Sequence, residues 1–492
     1  MRRRKRRDPQ PRFIADRSRQ LDAERGAAEA QVPAAHLARA VADVMEGVDT
    51  TAIEAGYSSL GRHGVPPKWL LRCWVYASLV GLHQSTKLAR AMETDAALQW
   101  LCGGHAVSAS TLRKFRQRQG ALFAAAIDAT VRIAVERGLV DPSALAVDSM
   151  RLRAHAATRA VRTVTRSTKR LATLATIDPA TLSEAERATH AARVAKHTDA
   201  LRLCAERDRP NVVLTNPSAA LMKFPNGAAM PGHRVTVAAA GVQTRLIVTV
   251  LVDDGGNDFG RLRAPVEQAR AALERAGLPT TKLGVVADAG YTADADYAFA
   301  AEAAPWADVL IASSSAMKDR AGDGKAPALF TQADFTLGTD GSLRCPADRE
   351  MHGPYNNGDG RLRWVGDDCS TCPLRARCTT GKQRSVNMNI VRARTEATMR
   401  ARLATPEGQA HYGRRMAIVE PVFANLEDVI GYRRASTRHT AGVLAEILLK
   451  VLAHNVSRLL SAARLSCVFS MVTATGLLDP LPQGVGGDET EF

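Results

Sequence analysis

The chain has 492 residues, of which 46% are hydrophobic, so its length and composition fit a globular protein with two to four buried cores. No apolar run approaches the roughly 18 residues that a membrane span needs, and no apolar segment follows the basic N-terminus as in a secretory signal. We therefore exclude a membrane or secreted protein and expect a cytoplasmic one. The 66 Lys and Arg outnumber the 50 Asp and Glu, and the net charge of +16 favours polyanionic partners.

Residues 1–30 are predicted to form a flexible basic arm. Six consecutive cations could lie along phosphates, although such blocks are also common in solvated tails without a partner. The six are Arg2, Arg3, Arg4, Lys5, Arg6 and Arg7.

Residues 31–140 have the apolar spacing of an all-helical domain, and we predict that it binds DNA. In "HAVSASTLRKFRQRQG", Ser108 or Ser110 can cap a helix that follows a short polar turn, as in a helix-turn-helix. The alternative is an amphipathic surface helix. In either case the helix is predicted to expose four cations, Arg113, Lys114, Arg116 and Arg118.

Residues 141–312 are predicted to form the first part of an α/β core. "ALAV" predicts a strand ending at Asp148, and residues 233–240 and 245–252 predict a hairpin around "GVQT". An amphipathic helix closed by Gly277 follows, then a strand in "TKLGVVADAG" and a fifth strand in "ADVLIASS". Within this core, residues 151–209 predict a helical insertion with one basic stripe, formed by Arg159, Arg162, Arg166 and Lys169.

The remainder divides into three segments. Residues 313–405 are rich in Gly, Asp and Cys and predict an irregular insertion, residues 406–465 predict a helical second part of the core, and residues 466–492 predict a loose tail.

Carboxylates at strand ends are the candidate catalytic groups. Asp148 and Asp288 each follow an apolar strand, and they would converge if the two strands are neighbours. Two close carboxylates repel unless a cation such as Mg²⁺ lies between them. Glu420 precedes Pro421, which predicts a helix start or kink. The competing acids in "DDGGND" are assigned turn and capping roles, namely Asp253, Asp254 and Asp258.

A cysteine cluster lies in the insertion. Cys369 and Cys372 form a C-x₂-C pair, and Cys345 and Cys378 could complete a tetrahedral structural Zn²⁺ site. His352 could replace one thiolate, and free buried thiols are the alternative. A zinc module would present nearby cations to phosphates, namely Arg375, Arg377, Lys382 and Arg384.

Several motifs together resemble the DDE transposases of bacterial insertion sequences, in the group with an N-terminal helical domain and a cysteine-bearing insertion. They are "RCWVYASLVGLHQSTKLARAMETDAALQWLCGG" with "STLRKFR", "VDSMRLRAHA", "GVVADAGY", and "CSTCPLRARCT" followed by "IVEPVFANLEDVIGYRR". They are spread over residues 60–455.

The resemblance implies a ribonuclease-H-like core with a mixed five-stranded sheet, whose acidic triad binds two Mg²⁺ or Mn²⁺ ions. By motif, the triad is Asp148, Asp288 and Glu420, and Tyr412 and Arg415 match the signature around the third acid. The gap from Arg415 to Glu420 is one residue longer than usual. The signature lysine position is occupied by Glu427, so no lysine role is assigned.

The implied function is binding of terminal inverted repeats and target DNA as a homodimer at the bacterial nucleoid, with strand cleavage and strand transfer. Two alternatives remain: a transposase-derived DNA-binding regulator without catalysis, and a Mg²⁺-dependent nuclease that never joins strands.

Overall fold

The structure, a computed structural model, describes residues 11–20, 26–312, 329–356 and 361–474. The basic run Arg2–Arg7 and residues 475–492 of the predicted tail lie outside the described residues.

The N-terminal region is helical, as its apolar spacing predicts. Pro66 and Pro67 start one helix, and the Ser108 hydroxyl accepts a hydrogen bond from the Thr111 amide at 3.3 Å, which caps another. The helices are α1 Leu37–Glu46, α2 Thr51–Glu54, α3 Pro67–Leu79, α4 Ser85–Ala91, α5 Ala96–Leu101, α6 Ala109–Arg118 and α7 Gly120–Glu136.

A mixed six-stranded sheet forms the centre of the molecule. Its strands are β1 Leu145–Arg153, β4 Ala220–Lys223, β5 Ala229–Ala240, β6 Leu246–Asp253, β7 Leu283–Ala287 and β8 Ala307–Ile311. The order is β4-β5-β1-β7-β8, with β6 also pairing β5. β1 is antiparallel to β5 and parallel to β7, and β7 is parallel to β8.

The helices α10 Arg263–Arg275 and α11 Asp294–Ala303 connect β6 to β7 and β7 to β8. The predicted hairpin is confirmed, since β5 and β6 pair antiparallel. Gly277 follows α10 with φ of +85°, the conformation that ends many helices. The mixed α/β prediction is therefore confirmed, although the sheet has six described strands rather than five.

Two sequence-based boundaries are wrong. β1 does not end at Asp148, which is the fourth of its nine residues. Residues 151–209 are not uniformly helical either. They contain the end of β1, a short strand β2 Val161–Thr163 that pairs with β3 Asn211–Val213, and the helices α8 Val164–Ala175 and α9 Glu184–Glu206.

The cysteine-bearing insertion is more regular than its sequence suggested. It forms a second, five-stranded sheet in the order β13-β12-β11-β10-β9. Its elements are β9 Thr336–Leu337, β10 Leu343–Arg344, β11 Glu350–Asn356, β12 Leu362–Val365, α12 Arg375–Cys378 and β13 Ser385–Met388. This sheet has its own small core around the buried Trp364, separate from the large core of the remaining chain.

The C-terminal region consists of α13 Ile390–Leu403, α14 Pro406–Ala424, a π-helical turn Asn425–Val429 and α15 Thr440–Ala474. Pro421 lies inside α14 and has no N–H for the Ala417 carbonyl, which instead accepts a hydrogen bond from Arg245 Nε at 2.8 Å. No helix among the described residues combines the length and apolar character needed to cross a membrane.

Candidate active site

Asp148 and Asp288 lie side by side on neighbouring strands. Val147 pairs with Ala287 in the parallel β1–β7 ladder, and each aspartate is the next residue of its chain segment. Arg415 Nη2 lies 2.5 Å from Asp148 Oδ2 and 3.6 Å from Asp288 Oδ2. One guanidinium thus contacts both carboxylates. The predicted convergence of these two aspartates is therefore observed.

The "DAG" turn orients the second aspartate. Asp288 Oδ1 accepts a hydrogen bond from the Gly290 amide at 2.8 Å. A Cβ at residue 290 would lie 2.9 Å from that same oxygen, so only glycine fits without a shift. The turn therefore holds one carboxylate oxygen while the other faces Arg415.

The pKa of Asp148 lies above the ordinary value for an aspartate. Burial raises its pKa from 3.8 to about 6; Arg415 opposes this rise, and the neighbouring Asp288 and Asp258 add to it. Its side chain is only 15% exposed. The ionised form of Asp148 is therefore held at a free-energy cost that a further cation would reduce.

Asp258 is the acid that sequence reasoning set aside. Its Oδ1 accepts hydrogen bonds from Ser149 Oγ at 2.6 Å and from Arg234 Nη1 at 2.9 Å. It also raises the pKa values of Asp148 and Tyr291. No local pattern distinguished it from Asp253 and Asp254, because its position depends on how the loop after β6 folds back over β1.

Asp253 has the predicted turn role and also forms an ion pair, whereas Asp254 forms ion pairs in place of the predicted turn or capping role. Asp253 Oδ1 accepts a hydrogen bond from the Gly255 amide at 2.5 Å, and its other oxygen pairs with Arg234. Asp254 pairs with Arg207 and Arg209 at 3.0 and 2.9 Å.

Two tyrosines border the acids. Tyr291 is fully buried, and its hydroxyl has no hydrogen-bond partner among the described residues. Burial and then the charge of Asp258 raise its pKa. Tyr412 lies one helical turn before Arg415 on α14, where burial raises its pKa and Arg415 lowers it. Both rings are therefore close to the acidic cluster, which consists of Asp148, Asp258 and Asp288.

Glu420 does not join the two aspartates. It is exposed in the interior of α14, not at a helix start, and five residues place it about 140° around the helix from Arg415. Among the residues that the structure describes, no three His, Cys, Asp or Glu side chains form a metal-binding group. Glu427, at the signature lysine position, is partly buried in the π-helical turn, and burial raises its pKa.

The four clustered cysteines line one cavity of about 30 Å³ in the second sheet, with Arg375 and Arg384 also in its wall. Burial raises the pKa of Cys378, and the Cys369, Cys345 and Cys372 thiols raise it further. His352 is exposed and lies 3.1 Å from the Asp367 carboxylate instead. The thiols are thus neighbours, although their positions do not form a metal-binding group.

The cations expected around this module are not all available to phosphates. Arg384 is partly buried and donates to the Cys378 and Phe330 carbonyls. The Arg377 guanidinium lies over the Phe330 ring, 4.6 Å from its centroid. The prediction that Arg384 is presented to phosphates is therefore wrong.

The predicted DNA-binding helix α6 divides into two faces. Arg113, Lys114 and Arg118 are exposed, as expected. Arg116 is not: its side chain is 11% exposed and forms an ion pair with the buried Glu446 of α15 at 3.4 Å. The sequence could not show this because the partner lies 330 residues away.

The predicted basic stripe is also divided. Arg159 lies in a 3₁₀ turn, Arg162 in β2, and Arg166 and Lys169 in α8. Arg162 Nη1 donates to the Arg159 and Val161 carbonyls. The four cations therefore do not form a single helical stripe.

The fold and the site define a mixed α/β protein with neighbouring carboxylates on adjacent parallel strands. Two family models match the chain: a transposase DDE domain over residues 344–460 and a transposase domain, DUF772, over residues 27–118. Both matches are to transposase models, which confirms the resemblance of the chain to the DDE transposases of insertion sequences. The first match includes α14 with Arg415 and Glu420, and the second includes the helices up to α6. A comparison with curated proteins gives no match.

Proposed function

We propose that the protein is a metal-dependent transposase that binds the terminal inverted repeats of its element, cleaves a DNA strand and transfers the end to target DNA. The single observation that carries this proposal is the pair Asp148 and Asp288, which lie on adjacent strands and share the Arg415 guanidinium. The strand order β6-β5-β1-β7-β8, with β5 antiparallel to β1, supports a ribonuclease-H-like core.

The residues of the site fit divalent metal ions. Carboxylate oxygens suit Mg²⁺ or Mn²⁺, and a cation would offset the burial and repulsion that raise the pKa of Asp148. Asp148 and Asp288 would hold the metal, and Glu420, the third ligand that the resemblance implies, would have to move toward them to bind the same ion. When bound, such ions would supply activation of an attacking oxygen and stabilisation of the leaving oxygen of a phosphodiester.

The other residues of the site orient these ligands. The Gly290 amide fixes one oxygen of Asp288, and Ser149 and Arg234 hold Asp258 beside the two acids. Arg415 keeps Asp148 and Asp288 together by contacting both carboxylates. The chain therefore supplies a partly preformed acidic site on a rigid sheet.

The proposal includes the remaining partners. Four thiols around one cavity have the chemistry of a structural Zn²⁺ site, although they would have to move to bind the ion. Double-stranded DNA is the macromolecular partner. A homodimer at the nucleoid would pair two element ends.

Asp288→Asn tests the catalytic assignment. The variant should lose Mg²⁺- or Mn²⁺-dependent cleavage of terminal-repeat DNA by about a hundredfold or more, the scale on which losing one electrostatic contact to the transition state acts. DNA affinity should stay equal or increase, because a negative charge is removed. Asp254→Asn, outside the acidic cluster, is the matched control. Cleavage at the wild-type rate by Asp288→Asn would refute the assignment.

A DNA-binding regulator without catalysis is the second candidate, because Glu420 is not grouped with the aspartates. It requires that the wild-type protein bind terminal repeats and cleave nothing in Mg²⁺ or Mn²⁺. A nuclease would instead cleave without joining a labelled 3′-hydroxyl end to a second duplex, so the same assay separates all three functions.

A further inference from the structure

The segment "GYRRASTRH", residues 431–439, joins the π-helical turn to α15 and is here named the connecting segment. It is held along its length. The Tyr432 hydroxyl donates to Glu446 Oε2 at 3.1 Å, and the Ser436 amide donates to the same oxygen at 2.9 Å. Near its end, the His439 amide donates to Asn216 Oδ1 at 3.3 Å.

The connecting segment runs between helix α6 and strand β1. On the α6 side, Arg116 Nη2 donates to Ser436 Oγ at 2.9 Å, and Arg116 Nη1 donates to the His83 carbonyl. On the β1 side, the Ala435 amide donates to the Arg153 carbonyl at 2.8 Å, and Arg434 pairs with Arg153 as an isolated parallel bridge. The segment therefore links α6, the predicted recognition helix, to β1, which carries Asp148.

Its outer surface has an unbalanced positive charge. Arg434 and Arg438 of the segment and Arg153 at the end of β1 are exposed, and none has an acidic partner among the described residues. The same holds for the exposed cations of α6, which are Arg113, Lys114 and Arg118. Of the nearby acids, Glu446 is buried against Arg116, and Asp428 pairs with Arg433.

We propose that the connecting segment, with Arg153, binds the phosphate backbone of double-stranded DNA between the recognition helix and the acidic site. This inference rests on the proposed function and adds a contact surface to it. Unpaired guanidinium groups repel one another less when phosphates lie between them, and duplex DNA offers a regular row of phosphates. Arginine also binds phosphate through two hydrogen bonds at once.

The spacing fits a continuous duplex. Arg153 follows Asp148 by five residues along β1, about 17 Å at the rise of a strand. That length corresponds to about five base pairs of duplex DNA. The odd spacing places the Arg153 and Asp148 side chains on opposite faces of β1, so Arg153 would contact the backbone of the flanking duplex and not the cleaved phosphodiester.

The test compares two double variants that remove the same charge. Arg153→Gln with Arg438→Gln changes the proposed surface. Arg132→Gln with Arg137→Gln changes two exposed cations near the C-terminal end of α7, which leads into the opposite end of β1. Affinity for a terminal-repeat duplex and for a random duplex is measured from 50 to 200 mM salt without added Mg²⁺ or Mn²⁺, with thermal midpoints to check folding.

The first variant should bind both duplexes about tenfold more weakly, and the slope of log affinity against log salt should become smaller by about two, one for each lost phosphate contact. The control should keep the wild-type slope. If both double variants keep the same salt slope while the wild-type protein binds and cleaves DNA, this inference is overturned and the proposed function is not. If the wild-type protein shows no salt-dependent DNA binding, the proposed function fails with it.

Discussion

Asp148 is largely buried beside two other acids and one arginine. These surroundings determine how its charge affects the free energy of unfolding. Its pKa in the folded protein is about 6, against an ordinary value of 3.8. Between these two pH values the folded state binds more protons than the unfolded state, so stability falls as pH rises from about 4 to about 6. Above that window the penalty is constant, and a shift of about two units corresponds to at most about 3 kcal/mol.

Asp148→Asn should therefore raise the thermal midpoint at pH 7.5 and have little effect near pH 4. The amide keeps an oxygen that can accept from Arg415, and Arg415 retains Asp288 as its ion-pair partner. Melting curves between pH 4 and pH 8 measure the difference. Asp254→Asn, which weakens an ion pair with Arg207 and Arg209, should not raise the midpoint at pH 7.5. A midpoint difference that does not depend on pH would contradict the assigned role of Asp148.

Among the single elements, helix α6 contains a buried arginine in an ion pair and an exposed arginine. Arg116 is buried against Glu446, which is 3% exposed, and its guanidinium lies 5.0 Å from the Trp74 ring centroid. Arg116→Met should lower the free energy of unfolding by about 3 kcal/mol, because it leaves Glu446 buried without this partner. Arg113→Met should change it by less than about 0.5 kcal/mol, because Arg113 is exposed.

Urea unfolding of both variants checks this prediction, with DNA affinity as the second measurement. Arg113→Met should weaken DNA binding without loss of stability. If Arg116→Met is as stable as wild type, the buried ion pair is not a structural link between α6 and α15.

In helix α14, an arginine side chain replaces a backbone hydrogen bond that a proline removes. Arg245 Nε donates to the Ala417 carbonyl, which Pro421 leaves without its helical partner. Arg245→Met should destabilise the wild-type chain by about 1–2 kcal/mol, the cost of a partly buried acceptor left unpaired. In Pro421→Ala the residue 421 amide can bond to Ala417 again, so the same Arg245 change should cost less.

A double-mutant cycle of Arg245 and Pro421, measured by urea unfolding, gives the coupling. Strictly additive effects would show that the arginine does not compensate for the proline.

At the level of the whole molecule, the parts predicted well are those with a strong local signal. The apolar run before "DAG" predicted β7 and the position of Asp288, and two apolar runs separated by the short "GVQT" predicted the β5–β6 hairpin. β1 was predicted too short because its second half, "SMRLR", contains two arginines at the end of the strand and lacks an uninterrupted apolar run.

The features that sequence reasoning missed depend on distant pairing. Asp258 approaches Asp148 only because the loop after β6 folds back, and Arg116 is buried only because α15 supplies Glu446. The second sheet was missed because its strands are two to seven residues long, too short for a clear alternating pattern.

The large core and the core of the second sheet differ greatly in size. The large core extends from Val32 to Leu459 and includes the N-terminal helices, the central sheet and α15. The second sheet instead buries a small set of side chains around Trp364, supplemented by partly buried neighbours such as Cys345 and Cys378. A module with so little apolar surface gains substantially from a metal that binds only its folded form.

Purified protein that has not met a chelator should therefore contain about one Zn²⁺ per chain, bound by Cys345, Cys369, Cys372 and Cys378. Removing the metal should unfold the second sheet before the large core, because Zn²⁺ binding energy contributes directly to folding of a small module. Elemental analysis measures the metal, and hydrogen exchange at residues 336–388 measures the local unfolding. Cys372→Ser should lose both the zinc and the protection. Cys204→Ser, a buried thiol on α9, should keep both. Protein that contains no zinc and retains full protection at residues 336–388 would show that the four cysteines are free thiols packed around their cavity.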